Sequence, residues 1–236
     1  MTDEIGGAGM TDDIGGAGVT EETATALEGV PEELGRDAAT LADRARALGA
    51  DRVAALPAAG VVVDERVRLK CLVPRCSSYG ENLMCPPAVP APDEMRAALA
   101  RYRLSLVVQQ RIPTSAAAVD AAFAGRTYAA ARAEGEAKIG GVLASQRSFA
   151  QLMSTLEREA FGLGYRFAAG FGGGECVLCE ECVGQGSAEP CRYPFGARPS
   201  AEALGVDLVA TAEAAGLDVE FAAAEKARWT GLLLID

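Results

Sequence analysis

Apolar residues recur at three- and four-residue steps from Pro31 to Leu48. Leu34, Ala38, Leu41, Ala45 and Leu48 fall on one face, and Gly49 supplies a stop, so this spacing predicts a helix. Val53 to Leu56 reads as a short strand. Val61 to Val63 and Val67 to Leu69 are further extended candidates that deliver the chain into Cys71. A second helix starts with Asp93 and Glu94 in its first turn, where the helix dipole favours acids, and runs to about Tyr102. The run LSLVVQ, Leu104 to Gln109, predicts a buried strand. Residues 116–163 are alanine-rich and predict helix in two pieces, with Gly135, Gly140 and Gly141 weakening the middle. Tyr165 to Phe171 predicts a strand that ends in Gly172, Gly173 and Gly174. Ser200 reads as the N-cap of a helix from Ala201 to about Ala215, stopped by Gly216. Two closing strands are expected, near Leu217 to Phe221 and Thr230 to Ile235.

Helices and strands therefore alternate, which predicts a layered helix-on-sheet domain of the α/β or α+β class, with cysteine-bearing loops leaving the sheet. Half of the 236 residues are apolar, enough for a core without disulfide support. The first eighteen residues are a tandem repeat, MTDEIGGAG then MTDDIGGAG, too short to stack as a structural unit. Residues 1–20 are accordingly expected to be a disordered tail, and 21–236 a single cysteine-rich domain. The net charge of −11 argues against nucleic-acid or anionic-membrane partners, which require basic surface. The start is acidic where a secretion signal needs a basic region. Apolar runs such as Leu232 to Ile235 fall far short of the ~20 residues that span a bilayer. A cytoplasmic protein is expected, and in that compartment clustered cysteines read as metal-binding or catalytic.

The chemistry is concentrated in seven cysteines, and the chain has no histidine. Cys176, Cys179, Cys182 and Cys191 are spaced C-x2-C-x2-C-x8-C. Thiols at successive steps of three wrap one side of a compact inorganic cluster and a fourth closes the cage, which is the ligand pattern of a 4Fe–4S centre. A four-thiolate zinc site is the alternative, although zinc commonly takes two separated C-x2-C knuckles. Cys71, Cys76 and Cys85 are spaced C-x4-C-x8-C and are one ligand short of a set. They could hold a second cluster with an iron open to substrate or bound by a non-cysteine group. They could also exchange ligands with the other group, since Cys85 stands before proline, or be thiols beside a single cluster. One cluster or two is left open. Arg75, Ser77, Ser78, Tyr79 and Asn82 between these cysteines could bind an anionic substrate, or be an ordinary polar loop.

Other chemistry is sparse. Without histidine there is no Ser–His or Cys–His nucleophilic pair. Gly170 to Gly174 lacks the G-x-G-x-x-G register and leads into cysteines, and its amides are expected to hydrogen-bond cluster sulfurs. Glu180 and Glu181 read as solvated loop charges, Arg192 and Arg198 as compensation for cluster charge or as helix caps, and Trp229 as core or sheet-face packing.

The strings KCLVPRCSSYGENLMCPP, CVLCEECVGQG…CRYP, ARPSAEALGVD and GLLLID resemble a prokaryotic family of predicted metal-binding proteins, the domain of unknown function numbered twenty-two eighty-four. The resemblance spans roughly residues 35–236 and includes all seven cysteines. It implies metal or cluster binding and no reaction. The expected function is a 4Fe–4S protein that transfers electrons to, or gives redox support to, a partner enzyme. The alternatives are an enzyme with an open iron on the three-cysteine group, acting on an unknown small molecule, and a zinc-stabilised interaction module.

Overall fold

Four strands build one sheet in the order β1-β2-β4-β3, with every neighbouring pair antiparallel. The strands are β1 (Arg52–Pro57), β2 (Leu104–Arg111), β3 (Ala169–Phe171) and β4 (Arg228–Ile235). The computed structural model describes residues 30–113, 141–219 and 227–236. Among them are the helices α1 (Glu32–Ala47), α2 (Leu69–Leu72), α3 (Pro92–Leu99), α4 (Val142–Gly162) and α5 (Leu208–Ala214). Antiparallel pairing throughout makes the domain α+β.

The two central strands carry apolar runs, Leu104–Val108 broken only by Ser105 and Leu232–Ile235, because both faces of the sheet are covered there. Leu104, Leu106 and Val108 of β2, with Leu233 and Ile235 of β4, pack under α1 and α4 against Leu41, Phe149, Met153 and Leu156. The alternate residues Val107, Leu232 and Leu234 face the other way, onto Met95 and Leu99 of α3, Leu204, and Leu208 of α5. Complete burial of these leucines contributes about 1.5–3 kcal/mol per side chain. Trp229 packs against the first of these layers and donates Nε1–H to Ser145 Oγ at 2.9 Å, so it serves the core as expected. No described helix is long and apolar enough to cross a membrane.

Four local expectations need correction. Val67 to Leu69 is not extended: a 3-10 turn (Glu65–Arg68) capped by Asp64 runs into α2, so Cys71 sits in a helical turn. Tyr165 to Ala168 is a turn in which Tyr165 and Ala168 pack on the core while Phe167 is exposed, and the strand is only Ala169–Phe171. The helix expected from Ala201 is a 3-10 turn (Glu202–Leu204) ended by Gly205 at φ 86°. Asp207 then caps the separate helix α5. Ser200 Oγ accepts from Ala203 N–H and so caps the short turn instead. Residues 217–219 form no strand. The N-terminal repeat, residues 114–140 and residues 220–226 lie outside the described residues.

Two long excursions carry the cysteines. The first leaves β1, passes α2 and returns through α3. The second leaves β3 and is closed at its base by a bridge between Gly172 and Ser200, with Gly172 N–H donating to Pro199 O at 3.1 Å and Ala201 N–H to Gly172 O at 3.2 Å.

Candidate metal centre

All seven cysteines are free thiols. Cys85 is buried, Cys76 is exposed, and the other five are intermediate. The first group is shaped by its own backbone: Cys76 N–H donates to Cys71 O at 3.0 Å, and Cys85 N–H to Asn82 O at 2.9 Å. Arg75 is spent inside this loop, its guanidinium 5.3 Å over the Tyr79 ring and bonded to Tyr79 O.

The second loop is pinned from outside. Gln146 of α4 donates to Glu175 O at 2.8 Å, and Arg147 Nε to Val177 O at 3.1 Å, which fixes the backbone on both sides of Cys176. At the far end Arg198 makes a two-pronged contact with Glu157 of α4, whose Oε2 also accepts Gly170 N–H at 2.7 Å. Arg198 is therefore neutralised by a carboxylate and is not a counter-charge for sulfur. Arg192 spans its own loop by donating to Glu181 O at 2.7 Å.

The triglycine also has a different use from the one expected. A Cβ on Gly173 would lie 3.3 Å from the Trp229 ring, and one on Gly174, at φ 72°, 2.6 Å from Gln146 Nε2. These glycines let the loop press against α4 and β4. The sulfurs receive other amides: Tyr193 N–H reaches Cys191 Sγ at 3.4 Å, and a backbone hydrogen bond from Leu178 acts on Cys176.

The two cysteine loops are locked to each other. Asn82 Nδ2 donates to Cys176 O at 2.9 Å while its Oδ1 accepts Met84 N–H. In return Gln185 reaches across with Nε2 2.7 Å from Asn82 O and 3.0 Å from Cys85 O, and its backbone N–H donates to Glu81 O. Asn82 is thus a clasp and not a substrate donor. Neither role was visible in the spacing.

Burial raises the thiol pKa of Cys71 and Cys176 and pushes that of Cys85 up to about 12. Neighbouring charges add to this. Cys179, Cys182 and Cys191 act on Cys176, while Glu175, Cys76, Cys71 and Cys176 act on Cys85. Crowded, half-buried thiols of this kind lose protons together only when a multivalent cation compensates them. The donor set, all sulfur with no imidazole, fits a thiolate-bound metal or cluster. Among the described residues no three Cys, Asp or Glu side chains converge closely enough to enclose an ion, so a metal held by these loops would require their side chains to close on it.

The family model for the predicted metal-binding protein DUF2284 matches residues 54–235. The chain belongs to this family. The match spans both cysteine excursions and all of the sheet but the first two residues of β1, and it begins after α1. No curated protein and no solved structure matches the chain. The DUF2284 description names metal binding without a metal, in agreement with the cysteine-rich loops.

Proposed function

We propose that this protein is an iron–sulfur electron carrier. Cys176, Cys179, Cys182 and Cys191 hold a 4Fe–4S cluster, and Cys71, Cys76 and Cys85 hold a second centre. When bound, such clusters accept and release single electrons. The observation that carries the reading is the clasp of Asn82 and Gln185, which keeps Cys85 and Cys176 side by side although they lie in separate loops. Two thiol groups held at such close quarters suit passage of an electron between them, and a zinc-stabilised module has no need of that arrangement.

The chain's own contribution is to hold and tune. The amides of Leu178 and Tyr193 direct positive dipole at Cys176 and Cys191, which favours the more reduced, more negative state of whatever those sulfurs bind. Val73 and Phe195, next to the two groups, are 76 % and 89 % exposed and suit docking of a protein redox partner. Free thiols and an acidic surface fit a reducing cytoplasmic setting.

Anaerobic purification followed by iron, sulfide and zinc analysis and visible absorption tests the proposal. The expected protein is brown and reversibly bleached by dithionite. Cys179→Ala removes the second-loop cluster, and Cys76→Ser lowers iron further by affecting the first. A colourless protein containing zinc and no iron would sink the carrier reading in favour of a structural zinc module.

A further inference from the structure

We infer that Glu202 is the fourth ligand, through oxygen, of the centre held by Cys71, Cys76 and Cys85. This rests on the reading of those three thiols as metal ligands. Three thiolates leave one coordination place unfilled, and the chain offers no imidazole. Far along the sequence, the 3-10 turn that bears Glu202 is packed against the turn Glu65–Arg68, directly ahead of Cys71. Three contacts fix it there: Asp64 N–H donates to Gly205 O at 2.8 Å, Asp207 N–H to Val62 O at 2.8 Å, and Val63 pairs with Val206.

The carboxylate itself is incompletely used. Ser200 and the residue's own backbone amide hydrogen-bond it, yet Oε2 is sealed from solvent with no hydrogen-bond partner. A buried carboxylate oxygen without a partner is costly: burial raises the Glu202 pKa, so the group is held as the neutral acid unless a cation takes the place beside Oε2. Lys70 lies near enough to attract it but does not bond Oε2. The Glu202 turn packs on the turn that leads into Cys71, and the Glu202 charge is felt at the Cys71 thiol. Glu175 acts on Cys85 in a similar way and provides the comparison.

An oxygen donor is harder than thiolate, so the metal it binds is the more easily lost. Ferricyanide takes one electron from [4Fe–4S]2+ to give [4Fe–4S]3+. The oxidised cluster releases Fe2+ and leaves [3Fe–4S]1+, while the oxidant becomes ferrocyanide. The full chain, purified anaerobically, is titrated with ferricyanide and followed by electron paramagnetic resonance and released iron. E202Q should lose this iron severalfold faster than the parent, E202C should lose it more slowly, and E175Q should match the parent. Equal rates in E202Q and the parent, or acceleration by E175Q alone, overturn the inference. Should E202Q fail to fold, the decision passes to E202C, where an unchanged rate overturns it. Failure of the underlying reading looks different: Cys76→Ser then leaves metal content and spectrum unaltered, and the inference falls with it.

Discussion

Asn82 Nδ2 donates a 2.9 Å hydrogen bond to the backbone carbonyl of Cys176, joining the loop of three cysteines to the loop of four. Because Gln185 returns from the second loop to Asn82 O and Cys85 O, the two loops are held by reciprocal side-chain amides. Perturbing either amide should therefore weaken both groups together.

Gln185→Ala removes the bonds to the Asn82 and Cys85 carbonyls without touching a thiol. Outer contacts of this kind typically govern 10–100-fold in metal affinity. Metal retained against a competing chelator should fall by roughly that factor at both groups. Loss confined to one group would show that the loops act independently.

Glu157 joins α4 to Arg198 and to Gly170 N–H, so it anchors both the departure from β3 and the return of the second loop. Glu157→Gln keeps the shape, removes the charge and leaves a half-buried guanidinium poorly matched. A loss of about 1.5–3 kcal/mol in urea unfolding is expected, in line with hydrogen bonds to charged groups. Arg198→Lys should rescue little, because a single ammonium cannot reproduce the two-pronged contact.

Much of the sheet could be read from the chain. LSLVV, broken only by Ser105, and LLLI are apolar runs because α1 and α4 cover one face and α3, α5 and the 202–204 turn the other. The same continuity hid the class, since fully covered strands suggest parallel as readily as antiparallel pairing. The helix from Glu32 to Ala47 was legible because its inner face repeats cleanly. The segment after Ser200 was not: Ala201 to Ala215 has a helical composition, but Gly205 at positive φ divides it, and only long-range bonds to Val62 and Asp64 reveal why. The cysteine spacing pointed to the candidate centre. Gln185 escaped notice, and Asn82 reads as a substrate donor or an ordinary loop residue, because their partners lie across in the other cysteine loop and polar residues in a loop carry no periodic signal.

Gly231 marks a tight point in the core layer under α4. A methyl group there would lie 2.6 Å from Phe171 O and 2.9 Å from Phe149 Cζ. Neither neighbour can move freely, since Phe171 O belongs to the sheet backbone and the Phe149 ring is completely buried. Gly231→Ala should destabilise the fold by about 1–3 kcal/mol, the usual cost of overpacking. Thermal unfolding of the metal-loaded protein measures it, and a neutral result would require β3 to shift from β4.

Tyr165 gives the fold an alkaline limit. Its hydroxyl donates to Asp37 Oδ2 on α1 at 2.6 Å, and burial, that hydrogen bond and the Asp37 charge together raise its pKa to about 12. The folded state thus holds the phenol proton more tightly than the unfolded chain, where tyrosine titrates near pH ~10. The resulting stability is complete below pH ~10 and is lost as pH rises through about 12, where both states are deprotonated. Tyr165→Phe should cost about 0.5–1.5 kcal/mol at neutral pH by deleting the hydrogen bond. It should also flatten the decline in unfolding free energy across that alkaline window. Denaturant titrations of the two proteins at neutral and alkaline pH separate these effects, and an undiminished alkaline slope in the variant would assign the limit to another group.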